Sequence, residues 1–357
     1  MQKIIAKINL KSIEDNARAF RALTGTKLCA VVKADAYGHG AEAVACALSG
    51  EADMFAVALL DEAKAIRTAA CGRPVLVLTP PSDEAMADEL IVNGFIASVP
   101  DLKTAELICR EAGRLGRPAR AHLQVNTGMN RYGMNASVLG KVCKFLRSCP
   151  LVSTEGLYSH LCSHSREQSE RQRLLFVRMR EICRRYFPDV CCHLSATYGA
   201  LLGREFAFDM VRIGLGLYGY LPAVAEGAET GIKAVGPRLK KAMKVYAQAA
   251  QSRKYSFGEQ GYSSPENERE NLPERLTVWR VGYADGFFRK RKNGMAGAEK
   301  NLSPLCMDAC LRRGGSRPGA MTPVMTDADK TAEALGTISY EVLCSVTRRA
   351  EFAYDYR

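Results

Sequence analysis

The chain has 357 residues, 47% hydrophobic and 25% charged, which is long for one core, sufficient for two domains, and too apolar for a disordered chain. No apolar run approaches the roughly 20 residues that a bilayer crossing needs, and MQKIIAKINLKSIEDN has no signal-peptide core or cleavage site, so a cytoplasmic protein that does not touch membranes is expected. The formal charge of +12 permits nucleic-acid contact, but the basic runs at Arg289, Lys290, Arg291 and Lys292 and at Arg312 and Arg313 carry no interleaved aromatic residues for base stacking, so they read as solvated loops.

Short apolar or β-branched runs recur along the first 220 or so residues. They are Leu28 to Ala34, Met54 to Ala58, Pro74 to Thr79, Phe95 to Pro100, Ala119 to Asn126, Val152 to Leu161, Cys191 to Thr197 and Met210 to Gly219. Between them lie stretches with helical spacing, clearest over Ala41 to Leu48, Leu60 to Ala70, Asp101 to Leu115 and Glu167 to Tyr186. Eight strands alternating with helices predict parallel strands joined by crossovers, and that number closes a (β/α)8 TIM-type barrel. An open doubly wound sheet is the competing layout.

From about Gly231 helical periodicity fades. Strand-like pieces follow at Met243 to Ala249, Arg275 to Ala284 and Ile338 to Val346, with loop-like stretches from Gly261 to Pro273 and from Gly286 to about Pro323. The expected organisation is α/β: a barrel over 1–228 and a mainly β domain over 229–357. The thirteen cysteines, odd in number and scattered, read as reduced thiols rather than a disulfide framework.

The chemistry-bearing residues fall at the ends of the predicted barrel strands, where barrels place their active sites. Lys33 ends the first run in VVKADAYGHG; a lysine there can form a Schiff base with an aldehyde cofactor, or simply pair with Asp35. Arg131 lies in QVNTGMNRYG after the fifth strand. His160 ends the sixth, and with Cys162 and His164 it invites a zinc reading whose loose spacing argues against a metal. Gly214, Gly216 and Gly219 spell G-x-G-x-x-G, but they come at the eighth strand and Pro222 follows closely, so a dinucleotide site is not expected. A phosphate held by backbone amides after the last two strands fits better; Ser195 and Gly214 to Gly216 stand there, with Arg212 facing the barrel mouth.

VVKADAYGHG, NTGMNRYG, VRIGLGLYG, GYADG, CMD and ISYE occur in the order seen in bacterial alanine racemases. The chain resembles that pyridoxal-phosphate family from Ile8 to its C-terminus. The resemblance implies pyridoxal 5'-phosphate bound to Lys33, its phosphate held by Tyr37, Ser195, Gly214, Leu215 and Tyr340, Arg131 at its phenolic oxygen, Arg212 at its pyridine nitrogen and His160 supporting the ring. It implies a two-base reaction in which Lys33 serves one face of the substrate carbon and Tyr283 the other. A tyrosine with a pKa of about 10 needs help from its neighbours for that role. Without the resemblance, Tyr283 reads as a core aromatic. Tyr283, Met307 and Asp308 would come from a second subunit, with Arg131, Met307 and Asp308 near the substrate, so a homodimer is implied.

The implied activity is interconversion of L- and D-alanine, supplying D-alanine for peptidoglycan. A serine or broader amino-acid racemase, or a weakly active pyridoxal-phosphate-binding relative, is the alternative. A decarboxylase is disfavoured, because it would set an acidic group where Arg212 stands. Gln124, Asn126, Leu194, Ser165 and Pro304 depart from the family pattern. Tyr283 and Cys306 are also closer in sequence than is usual, and the segment after Asp308 lacks an alternating strand pattern.

Overall fold

The computed structural model describes residues 4–162, 165–222, 226–255, 274–288 and 305–356. The basic run at 289–292, the stretch 261–273, His164 and Pro304 lie outside the described residues. The strands are β1 (Ile4–Asn9), β2 (Lys27–Val31), β3 (Met54–Val57), β4 (Val75–Val77), β5 (Ile96–Val99), β6 (Ala119–Gln124), β7 (Val152–Tyr158), β8 (Cys191–His193), β9 (Met210–Ile213), β10 (Met243–Lys254), β11 (Arg275–Trp279), β12 (Cys310–Arg313), β13 (Met321–Met325) and β14 (Glu351–Asp355).

The chain forms two compact units, and the division is not a single cut along it: one unit holds 12–36 and 41–240, the other 1–11, 37–40 and 241–357. In the first, eight parallel strands follow the order β8-β7-β6-β5-β4-β3-β2-β9. The Asp209 N–H donates to Cys192 O at 3.0 Å, Arg212 N–H donates to Ser195 O at 2.9 Å, and the Asp209 carboxylate accepts from Cys192 N at 2.8 Å, which joins β8 to β9 and closes the ring. The expected barrel is therefore present. Strands β3, β4, β5 and β9 are buried throughout, as continuous apolar runs in a parallel sheet covered by helices should be.

The helices are α1 (Leu10–Thr24), α2 (Lys33–Gly38), α3 (Ala41–Leu48), α4 (Leu60–Ile66), α5 (Glu84–Asn93), α6 (Leu102–Leu115), α7 (Ala136–Arg147), α8 (Arg166–Arg184), α9 (Thr197–Leu202), α10 (Glu229–Val235), α11 (Ala328–Leu335) and α12 (Ser339–Ser345). Asp83, Asp101 and Asn135 start α5, α6 and α7 by accepting from Met86, Thr104 and Val138 N–H groups, each satisfying a donor that has no partner within its helix. Among the described residues no helix is long and apolar enough to cross a membrane. The thiols are not all reduced: Cys109 in α6 and Cys149 beyond α7 are joined by a disulfide, with Cα atoms 6.2 Å apart. The packing of neighbouring crossover helices brings together cysteines 40 residues apart.

The second unit is built on one mixed sheet in the order β12-β11-β10-β1-β14, with β13 also on β10. Its N-terminal strand β1 runs antiparallel to β10 and parallel to β14. The predicted strand over Ile338 to Val346 is instead α12. Its buried residues Ser339, Val342, Leu343 and Ser345, with Val346 just beyond it, sit at helical spacing, which β-branched residues in the run disguise. The segment after Asp308 does form strands, β12 on β11 and β13 on β10.

Candidate active site

At the C-terminal end of β2 the chain enters an unusual turn. Ala34, Asp35, Ala36 and Tyr37 have φ of 52, 51, 54 and 53°, so the single turn α2 that begins with Lys33 is left-handed. Each such L-residue costs on the order of 1–2 kcal/mol, and strain of this kind persists only where the surroundings over-determine it. The Ala36 N–H donates to Val32 O at 2.9 Å, Ala34 N–H to Glu62 Oε1 at 2.6 Å and Ala41 N–H to Asp35 Oδ1 at 2.7 Å. Lys33 is thus carried on a braced, strained turn at the C-terminal end of the barrel strands.

Arg212, on β9 and 4% exposed, is held by neutral acceptors. Its NH1 donates to His193 Nδ1 (3.0 Å) and His193 O (2.8 Å), and its NH2 to Ser159 O (2.7 Å), His160 Nδ1 (3.1 Å) and Leu194 O (3.1 Å). These bonds leave Nε as the nitrogen still available to a ligand. Burial pulls the guanidinium below its usual pKa, yet with this many acceptors it stays charged.

The same bonds assign the imidazole protons. A guanidinium cannot accept, so His193 Nδ1 is bare and its Nε2 carries the hydrogen. That N–H donates to His122 Nδ1 at 3.0 Å. All three histidines are held neutral: burial, then Arg212, pulls His160 to about 3 and His193 well below its ordinary value, and burial foremost pulls His122 to about 4. His193 also stacks on Tyr158 at 5.1 Å, 3° between planes, and Arg212 lies 5.4 Å over that tyrosine ring. The Tyr158 hydroxyl pairs with Ser98 Oγ at 2.5 Å. Gly156 leaves the room for His122, since a Cβ there would meet its ring at 2.4 Å. His122 and His193 were not singled out in the sequence. Their signal was that, with His160, three of only five histidines lie inside predicted barrel strands.

The loops after β8 and β9 meet as expected, through a different side chain. Ser195, fully buried, donates its hydroxyl to Phe206 O at 2.7 Å. Two residues on, Thr197 Oγ1 accepts from Gly216 N at 3.1 Å, tying the first residue of α9 to the 3-10 turn Leu215–Tyr218. The opening N–H groups of such turns lack internal acceptors, so Gly214, Leu215 and Thr197 gather donors suited to a phosphate. Thr197 was also overlooked: the sequence reading placed it at the end of a strand run, whereas it opens α9.

Arg131 is exposed, on a loop closed by Asn126. Asn126 Oδ1 accepts from Gly128 N (2.9 Å) and Asn130 N (3.1 Å), and its amide donates to Asn130 Oδ1 (2.8 Å). An aspartate could not make that donation. Gln124 is buried and its Oε1 has no hydrogen-bond partner among the described residues. Cys162 Sγ lies 3.7 Å from Gly128 O and 3.5 Å from Gln172 Oε1, and among the described residues no group of three or more His, Cys, Asp or Glu is placed to hold a metal.

The second unit gathers the other predicted residues. Tyr283 opens a 3-10 turn, Tyr283–Asp285, and is 41% exposed. Its N–H donates to Cys306 O at 3.1 Å and that of Ala284 to Met307 O at 3.0 Å, so GYADG and CMD are one local structure. A side chain at Gly282 would put Cβ 2.2 Å from Met307 O, so only glycine lets the two strands of chain approach. Arg349 holds Asp308 at 2.7 Å and buried Asp285 at 3.6 Å. Separately, Tyr37 and Tyr340 bring their rings to 5.9 Å, and burial, then Tyr340, raises the Tyr37 phenol above its usual pKa.

The family model for the alanine racemase N-terminal domain matches residues 8–222, and that for the C-terminal domain matches 242–354. The chain belongs to the alanine racemase family. An alanine racemase of Francisella philomiragia is 32% identical over 97% of this chain and 98% of its own length. The solved alanine racemase of Clostridium difficile superposes with a TM-score of 0.85 at 26% identity, covering 99% of this chain and 96% of that one. The Bartonella henselae alanine racemase, solved with covalently bound pyridoxal phosphate, gives 0.80 at 25% identity over 99% and 100%. A cleft of about 860 Å³ lined by Lys27, Cys191 and Asp209 lies at the strands' N-terminal ends, opposite the ends that carry Lys33, His160 and Ser195.

Proposed function

We propose that the chain interconverts L- and D-alanine as a homodimer with pyridoxal 5'-phosphate on Lys33, and so supplies D-alanine for peptidoglycan. The observation that carries this reading is Arg212, a charged guanidinium whose NH1 and NH2 are spent on fixed acceptors while Nε is left for a ring nitrogen. The barrel residues fit the cofactor: Lys33 for the aldehyde, Gly214, Leu215 and Thr197 for the phosphate, His160 for the ring and Arg131 for the phenolic oxygen; Tyr37 and Tyr340, which pair within the other unit, are further phosphate candidates. Thr197 replaces Ser195 in this assignment, because the Ser195 hydroxyl is already engaged by Phe206. When bound, the cofactor supplies an electron sink for the substrate's Cα carbanion.

The protein's own part is to hold and move protons. Arg212 keeps the pyridine nitrogen unprotonated, because a permanently charged donor there disfavours a second proton. With the cofactor bound, this would weaken the electron sink and so limit side reactions such as transamination. Lys33 Nζ takes or returns the Cα proton on one face, and the Tyr283 hydroxyl of a second copy does so on the other. Tyr283, Met307, Ile338 and Tyr340 are all exposed large side chains on the second unit, which suits coverage by a partner.

The test is incubation of the loaded protein with L-alanine and, separately, L-serine, followed by chiral chromatography. D-alanine from the parent and none from Lys33→Ala is expected. D-serine as the main product would shift the reading to a serine racemase, and no product from either would overturn it.

A further inference from the structure

The geometry points to Glu62 as a positioning residue for Lys33, an inference that rests on Lys33 being the cofactor lysine. Glu62 is the third residue of α4. From that position a glutamate ordinarily reaches back to cap its own helix, and Oε2 does so, accepting from Ala58 N at 2.8 Å and Leu59 N at 2.9 Å. Capping needs nothing more. The other oxygen, Oε1, instead accepts from Ala34 N at 2.6 Å, 28 residues away. Ala34 directly follows Lys33 and is the first of four left-handed residues.

One carboxylate therefore binds the loop after β3 to the turn that carries the lysine. Asp35 fastens the far side of that turn through Ala41 N, so Glu62 is its brace on the lysine side. A short bond to an ionised oxygen is among the stronger kinds. If it is lost, Ala34 can leave its disfavoured φ and the direction in which Lys33 departs from the backbone changes. Reacting groups need placement to a fraction of an ångström, and a shift of about 1 Å can cost on the order of a hundredfold.

Glu62→Gln is the informative variant. A glutamine has one oxygen for two sets of N–H groups and must turn its own NH2 toward the other. Three readouts are taken on the full chain. Hydrogen exchange of the peptide covering 33–38 should speed up about tenfold or more, while a peptide from α6 keeps the parent rate. Covalent attachment of added pyridoxal phosphate to Lys33, followed by visible absorption, should slow about tenfold or more, and racemisation kcat should fall roughly 10- to 100-fold with KM little changed. Adding Ala34→Gly should restore part of the attachment rate, because glycine adopts positive φ without penalty.

A Glu62→Gln protein that melts lower but attaches the cofactor and turns over at parent rates would overturn the inference and leave Glu62 a helix cap. A parent that attaches the cofactor at Lys33 yet racemises nothing would remove the proposed function, and the exchange and attachment readouts would still decide Glu62. A parent whose Lys33 never attaches the cofactor would overturn both.

Discussion

Replacing Arg212 by lysine tests the central network quantitatively. Five acceptors face the guanidinium, and of these His193 O also receives the Ser159 N–H at 3.3 Å. The remaining four lie on two sides, His193 Nδ1 at NH1 and Ser159 O, His160 Nδ1 and Leu194 O at NH2. A single ammonium nitrogen can serve one side only, so between one and three of these acceptors lose their donor. Each buried unpaired acceptor costs about 1–3 kcal/mol, and an ammonium is more costly to desolvate than a guanidinium. A loss of roughly 1–9 kcal/mol follows. For a domain of this size, about 2 kcal/mol lowers the melting midpoint by roughly 4–8 °C. Calorimetry on the cofactor-free chain avoids the contribution of binding. A midpoint within about 1 °C of the parent would refute the reasoning, since it would mean these bonds do not hold the barrel mouth.

Stability should fall on acidification between pH 6.5 and about 4. His122 is neutral in both states above its ordinary value of 6.5, and burial pulls its folded value to about 4; between the two the unfolded chain binds a proton the folded chain refuses, at a cost on the order of 3 kcal/mol. Denaturant titrations at several pH values should show this slope, to which His160 and His193 add in the same direction, and His122→Gln should reduce it without removing it; a parent equally stable across that range would contradict it. Gly156→Ala drives a methyl into the His122 ring and should destabilise by about 1–3 kcal/mol, read as a lower denaturation midpoint; an unchanged midpoint would count against the packing. Thr197→Val should weaken pyridoxal-phosphate binding about tenfold, the worth of one good hydrogen bond, while Ser195→Ala leaves it near parent in an equilibrium titration. The opposite order would return the phosphate role to Ser195.

The barrel was legible because each strand is a short buried run flanked by helical periodicity, information that is local in sequence. The second unit was less so. Strand β1 has its partners at Met243–Lys254 and Glu351–Asp355, and no local pattern announces pairing across such distances. The α12 segment carries β-branched residues at helical spacing, and composition misled where period decides. Lys33, Arg131, His160, Arg212 and Gly214 stood out as candidates because they fall in or just after barrel strands, near the ends where barrels place their active sites. The His122–His193 pair was not, because a histidine's partner in a barrel lies on another strand. Ser195 and Thr197 differ by two positions, and only the hydrogen bonds to Phe206 and Gly216 separate their roles.

The most direct test of the two-base account is solvent deuterium exchange at Cα, measured on L-alanine and D-alanine separately with the loaded parent and Tyr283→Phe. The account predicts that the parent exchanges both enantiomers, and that Tyr283→Phe loses exchange for one while Lys33 still exchanges the other. Loss for both enantiomers, or for neither, would contradict it.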